Sequence, residues 1–280
     1  MHPILYHSSR FGVTIHSYGA MLFVAFVVGI WHAMNSAKRR PREGITADEV
    51  LDVSIWMIIS GIVFARLIFV LLDPNIADYT WRTVFAVWNG GISFDGALGG
   101  AILALAIFAW RKKIAFLNLT DRFAAPAMIG YAIGRIGCFL NGCCYGRPTN
   151  LPWAVKFQEG QVGNSIIWTP PSHPTQIYST LISLVWYAWL TRRERRGRAF
   201  FGELTCLYMM MSAVERFFME IFRAGATSDT MGHTPFTLAQ VFCVLLFAVG
   251  AGGMIYLRKR RLRTADVSAP KGAETVNSRA

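Results

Sequence analysis

A chain of 280 residues that is 54% hydrophobic and only 16% charged is not an ordinary water-soluble globule, since soluble domains carry about 25% charged residues. The mean hydropathy of +0.38 points to lipid as the solvent, and 25 glycines with 11 prolines fit neither a collagen-like fibre nor a disordered chain. The net charge of +12 comes from 28 Lys and Arg, whose placement decides between a nucleic-acid face and a membrane topology signal.

Seven apolar runs of membrane-spanning length are predicted, at about residues 18–35, 50–72, 92–110, 118–140, 174–190, 202–222 and 236–257. The first begins at Tyr18 and ends in Lys38, Arg39 and Arg40 with no small-residue cleavage site, so it reads as a retained span and not a signal peptide. Basic residues crowd the loops after the first, third, fifth and seventh spans, which together hold 20 of the 28. The alternate loops hold Arg10, Arg82, Arg147, Lys156 and Arg223, and Arg66, Arg135 and Arg216 fall inside spans. By the positive-inside rule the N-terminus is outside, on the periplasmic face, and the C-terminus is cytoplasmic. Positive charge spread over four short segments is an orientation signal, which removes a nucleic-acid partner. The expected fold is an all-α polytopic membrane protein of about seven transmembrane helices. A single domain covers 1–263, followed by a disordered cytoplasmic tail over 264–280 that lacks apolar periodicity.

A charge at the bilayer centre costs about 2.5–3.5 kcal/mol on insertion scales, so ionisable residues within spans face a bundle interior and serve a purpose there. Arg66, Asp95, Arg135, Glu215, Arg216 and Glu220 are such residues. With alternating span direction they share one depth near the outer face. Arg135 and Arg216 lie five and six residues from their span ends, roughly 8–9 Å below the boundary at about 1.5 Å per residue. Tyr18, His173, Gln176 and Gln240 stand at outer-side span starts and can join them. Arg216 and Glu220 are four apart and can pair on one helical face. One such pair is as well explained by helix–helix adhesion. Three arginines exceed what Asp95 and Glu220 neutralise, and an unneutralised guanidinium in a dry site matches a phosphate bidentately. The outer leaflet supplies one as a phospholipid headgroup. The glycines of GGISFDGALGGA and Gly130, Gly134 and Gly137 allow close helix approach.

Five cysteines in a long chain do not make a disulfide framework. Cys138, Cys143 and Cys144 form a CxxxxCC at the outer end of the fourth span and read first as small buried hydrophobes. A disulfide is the alternative on an oxidising face, and without neighbouring His or further Cys the spacing does not suggest a metal site. Cys206 and Cys243 read as packing residues.

The run Gly134-Arg135-Ile136-Gly137-Cys138-Phe139-Leu140-Asn141-Gly142-Cys143-Cys144-Tyr145-Gly146 resembles the signature of the prolipoprotein diacylglyceryl transferase family, Gly-Arg-x-Gly-Asn-Phe-x-Asn-x-Glu-x-x-Gly. Other segments follow in the family's order. His16-Ser17-Tyr18-Gly19 resembles the opening of its first span, and Arg66 lies where the family has an Arg late in the second. Trp88 to Gly100 resembles its Gly-Gly-x-Ser-Phe-His-Gly-Gly stretch, and His173-Pro174-Thr175-Gln176-Ile177-Tyr178 its His-Pro-Ser-Gln-Leu-Tyr run. Arg216 to Arg223 is similar to its Arg-x-x-x-Glu-x-x-Arg. The resemblance, from about residue 10 to about 258, implies a multi-pass enzyme of the bacterial inner membrane without a cofactor or metal. It would move the diacylglyceryl group of phosphatidylglycerol to the lipobox cysteine of a prolipoprotein signal peptide and release glycerol phosphate, the first step of lipoprotein maturation. Carried over by motif position, Arg135 and Arg216 stabilise the phosphate, Glu220 fixes Arg216, and Tyr18 contacts the lipid head or the reacting groups. Asn141 and Gly146 shape the headgroup site, with Arg66, Arg223, His173 and Gln240 as further contacts.

This chain departs from the pattern where the family has His and here stands Asp95, and where the signature has Asn and Glu and here stand Cys138 and Cys143. Asp95 is expected to neutralise an arginine in preference to acting as a base, which leaves the acceptor thiol's proton without an assigned owner. The alternatives to the transferase are a divergent paralogue using another lipid or acceptor, and a non-enzymatic anion or lipid transporter. A transporter needs polar residues continuing to the inner side, and the sequence places its polar set only in the outer half.

Overall fold

The computed structural model describes residues 4–8, 13–73, 80, 83, 91, 93–162, 165–223 and 236–268. Seven α-helices dominate the described residues: α1 Ser17–Arg39, α2 Ala47–Leu72, α3 Phe94–Lys112, α4 Phe116–Asn141, α5 Thr175–Arg196, α6 Glu203–Phe222 and α7 Leu238–Ser268. Each overlaps one predicted span. Their ends follow from local chemistry. Thr46 and Glu49 form a reciprocal capping box at α2, with Glu49 N donating to Thr46 Oγ1 at 3.2 Å and Thr46 N to the Glu49 carboxylate at 3.1 Å. Ser93 caps α3 by accepting from Gly96 N at 3.3 Å. Gly142, with φ 77°, stops α4.

Five of the seven are long and apolar enough to cross a membrane: α1, α2, α3, α4 and the Leu238–Leu262 part of α7. Helices α5 and α6 fall short because each devotes a face to the bundle interior. Gln176, Ser179, Thr180 and Ser183 of α5 and Glu203, Glu215 and Glu220 of α6 are buried. The apolar surface faces outward instead, with Phe23, Trp56, Val63 and Phe242 exposed. That inversion of a soluble protein's layout identifies a polytopic membrane protein. Helix α7 runs past residue 263 to Ser268, so the tail begins as helix. Residues 269–280 lie outside the described residues, as do Arg10, Arg82 and residues 88–90.

The all-helical expectation holds for the bundle, to which two short antiparallel hairpins are added. Strands β1 Ile4–Ser8 and β2 Val13–His16 pair directly before α1. Strands β3 Gln158–Val162 and β4 Ser165–Trp168 pair within the connection between α4 and α5. Both lie outside the spans, where the lipid requirement that backbone groups be satisfied within one helix no longer holds.

Helix α4 is the central element, packed against α1, α5 and α6, while α2 pairs with α3 and α6 with α7. Close approach is made by small residues. A Cβ on Gly96 or Gly100 would come within 2.5 Å of Phe64 O or 2.6 Å of Ser60 O, so α3 lies directly on α2. Ala124, Ala125, Met128, Leu190 and Leu204 fill an apolar layer between α4, α5 and α6.

Candidate active site

The C-terminal ends of α4 and α6 and the N-terminal ends of α1 and α5 meet at one end of the bundle. Arg135 of α4 stacks on the ring of Tyr131 one turn earlier, 4.8 Å from its centroid, and donates to the Tyr131 hydroxyl through Nε at 2.9 Å and Nη2 at 2.5 Å. Tyr131 in turn donates to Glu215 of α6 at 3.3 Å. Arg216 lies 3.0 Å from Glu220 Oε2, one turn on. The contact is an ion pair without hydrogen-bond alignment, and Glu220, 2% exposed, has neither carboxylate oxygen hydrogen-bonded among the described residues.

Arg223 ends α6 and closes the cluster. Its backbone bridges to Gly146, its carbonyl accepts from Arg147 Nε at 3.0 Å, and its own buried Nε has no acceptor among the described residues. Burial, together with the like charges of Arg216 and Arg135, holds its guanidinium below the usual arginine range. Three guanidinium groups therefore share a field in which Glu215, reached through Tyr131, and Glu220 are the carboxylates in contact. The site keeps an uncompensated positive charge, which is what an anion requires.

Arg223 also lines a cavity of ≈ 740 Å³ with Asn141, Cys143, Cys144, Gly146 and Glu159. The connection carrying β3 and β4 forms the opposite wall, where Tyr145 stacks on Phe157 at 5.1 Å between centroids. Gly146 has to be glycine. A Cβ there would meet Phe222 O at 2.5 Å and His173 Cβ at 2.8 Å, and its N–H donates to His173 O at 2.9 Å. On the facing side, Gly137 lets α1 approach, since a Cβ would meet Met21 Cβ at 3.0 Å and Tyr18 Cδ2 at 3.3 Å. Tyr18 is 41% exposed and within Coulombic range of Arg135 and the three outer cysteines.

Several sequence-predicted residues hold other posts. Arg66, 8% exposed, donates to Gly91 O at 2.8 Å and to Thr83 O at 2.5 Å, so it ties the connection after α2 to that helix. The third arginine of the cluster is Arg223. Gln240 accepts from Thr237 N at 3.1 Å and its own N–H donates to Thr237 Oγ1 at 3.2 Å, a capping box that starts α7. His173 contacts the Tyr178 hydroxyl at 3.3 Å and packs edge-on to Phe222 at 5.4 Å, seating α5 against the end of α6. Asp95, expected to neutralise an arginine, is exposed in the first turn of α3 and forms no salt bridge among the described residues, with Gly96 and Gly100 on the face turned toward α2.

Sequence reasoning missed Tyr131, whose link to Glu215 exists only once α4 and α6 pack. Gln176 was visible as a polar residue at a span start. It is fully buried, and its Nε2 donates to Cys143 O at 2.6 Å. Also unforeseen is a second charged network at the opposite end of the same helices. Arg122 donates to Glu43 and to Ser36 O at 3.1 Å. Arg198 reaches Glu43, and Asp121 at 3.0 Å. Glu194 accepts from Ser36 and faces His32 at 3.3 Å. All five cysteines are free thiols, and the Sγ atoms of Cys138, Cys143 and Cys144 lie within 4.8 Å of one another.

The family model for prolipoprotein diacylglyceryl transferase matches residues 5–256. The chain is 33% identical over 269 residues to the phosphatidylglycerol–prolipoprotein diacylglyceryl transferase of Trichormus variabilis, covering 94% of this chain and 93% of the relative. It is 32% identical over 248 residues to that of Thermosynechococcus vestitus, covering 88% and 89%. The match to that of Thermotoga maritima is 31% over 251 residues, covering 88% and 82%. A match of this extent, joined to a polytopic helical fold with converging arginines, places the chain in the prolipoprotein diacylglyceryl transferase family.

Proposed function

We propose that this transferase moves the diacylglyceryl group of phosphatidylglycerol to the lipobox cysteine thiol of a prolipoprotein at the outer leaflet of a bacterial inner membrane. All seven helices span, with the N-terminus periplasmic and the C-terminus cytoplasmic, as the basic loops require. The observation that supports this reading is the convergence of Arg135, Arg216 and Arg223, of which Arg223 lines the cavity, with Glu215 and Glu220 as the carboxylates in contact.

In the reaction the acceptor sulfur bonds to the glyceryl carbon, the carbon–oxygen bond to phosphate breaks, and its electron pair leaves on glycerol phosphate. Negative charge thus builds on phosphate oxygens, where preorganised cations lower the barrier most. Arg216, held by Glu220, and Arg135, held by Tyr131 and Glu215, stay in place without being neutralised by a direct bidentate partner. Arg223 brings an unused N–H. Tyr18 and Asn141 flank the headgroup, and Gly146 keeps the α4–α5 connection against α6. The acceptor must be a thiolate.

The argument against a transporter rested on a polar set confined to the outer half, and the network around Glu43 and Arg122 at the other end corrects that premise. Passage is still disfavoured, because the turns of α4 between Arg122 and Arg135 bury Ala124, Ala125, Met128, Ile129 and Ala132 and carry no charge. Purified protein given phosphatidylglycerol and a lipobox peptide is expected to add a diacylglyceryl mass increment to the peptide. Transfer from a different phospholipid only would select the divergent paralogue, and transfer from none would reject an enzyme.

A further inference from the structure

Cys138, Cys143 and Cys144 have no part in phosphate stabilisation, yet the fold delivers their three sulfurs to one point. The cause is local. Gly142 N donates to Phe139 O at 3.2 Å and Cys143 N to Cys138 O at 3.1 Å, the paired bonds of a Schellman turn. Such a turn sets the residue after its glycine against the last full turn of the helix, here Cys143 against Cys138. Cys144 then adopts a left-handed backbone, φ 64°, which a non-glycine residue holds only where its surroundings enforce it. Those surroundings are the first turn of α5, where Gln176 Nε2 donates to Cys143 O at 2.6 Å and Thr175 Oγ1 to Cys144 O at 2.8 Å. Both residues are buried.

From this geometry we infer that Cys138, Cys143 and Cys144 form a three-thiolate site for one soft cation, Zn2+ or Cu+, with a fourth position opening into the cavity that Cys143 and Cys144 line. Sulfurs around a tetrahedral ion with metal–sulfur bonds of about 2.3 Å lie roughly 3.8 Å apart, so small side-chain rotations close the site. Thiolates select soft cations over Mg2+ or Ca2+, and each thiol releases one proton to solvent on binding. Three thiolates on a divalent ion leave one net negative charge, which Arg135 and Arg223, both in Coulombic range of Cys144, offset. Three protein ligands and an open position are the pattern of reactive zinc sites, as opposed to closed structural ones. The inference does not depend on the transferase reading, since ion binding is measured without turnover.

The test uses the full chain in detergent, reduced, freed of reductant without oxygen, and titrated with Co2+ as a spectroscopic probe. The expected result is a saturable thiolate-to-cobalt charge-transfer absorption that ends at one ion per chain. It should be lost in Cys138→Ser and in Cys144→Ser and retained in Cys243→Ser. Cys144 lies beyond the helix, so its variant keeps the test open where Cys138→Ser fails to fold. Displacement of Co2+ by Zn2+ or by Cu+ supports the site and says which ion it prefers. No saturable absorption in the unaltered chain, an undiminished band in both serine variants, or a disulfide among the three thiols in protein alkylated without reductant would each overturn it.

Discussion

Helix α4 carries an arginine near each end, and the two have opposite fates. Arg122 is 1% exposed and donates to Glu43, Ser36 O and the Ser36 hydroxyl, its Nε finding no acceptor among the described residues, in a network that also holds Arg198, Asp121 and Asn118. Arg135 has a phenol for its partner and reaches a carboxylate only through it. Residue type and parent helix are shared, so neither sets the role. What differs is whether the neighbours complete the charge balance. A completed network joins helices, whereas an incomplete one beside a cavity holds an anion.

The contrast can be broken by mutation at either end. Arg135→Ala or Arg216→Ala should lower diacylglyceryl transfer about 10²–10³-fold while the protein stays folded in the membrane, as read by peptide mass shift and detergent melting. Arg122→Ala should do the reverse. Loss of one partner from a buried ion network costs about 3 kcal/mol, visible as a lowered melting temperature, while turnover per folded molecule stays near normal. Gly146→Val tests the cavity wall at the outer end. Its side chain would strike Phe222 O and His173, shifting α6 against the α4–α5 connection, so it should raise KM for the lipid and destabilise by about 1–3 kcal/mol, the cost of overpacking. The smallest effect belongs to Gln240→Ala, a lost cap worth about 1 kcal/mol with transfer unchanged. A large activity loss there would return Gln240 to the binding site.

The seven helices were legible because lipid demands long apolar runs and the caps announce themselves: Thr46 with Glu49, Ser93 before Gly96, and Gly142 after Asn141. The hairpin β3–β4 was not, since its short strands lie outside any span and carry little periodicity. Arg135, Arg216 and Glu220 could be singled out as charges where lipid excludes them. The exchange of Arg66 for Arg223 could not, because depth along a helix says nothing about which carbonyls a connection brings within reach. Asp95 shows the same gap: its helix turns Gly96 and Gly100 to α2 and leaves the carboxylate outside.

From composition and spacing alone this protein is a polytopic bundle with arginines near one face and a signature shared with a lipid-modifying family, because burial in a bilayer constrains length and charge locally along the chain. Packing alone decided that Tyr131 joins Arg135 to Glu215, that Glu43 gathers Arg122 and Arg198, and that Thr175 of α5 holds Cys144 O. Those contacts join residues far apart in sequence or across a turn, so their energies exist only once separate helices are brought together.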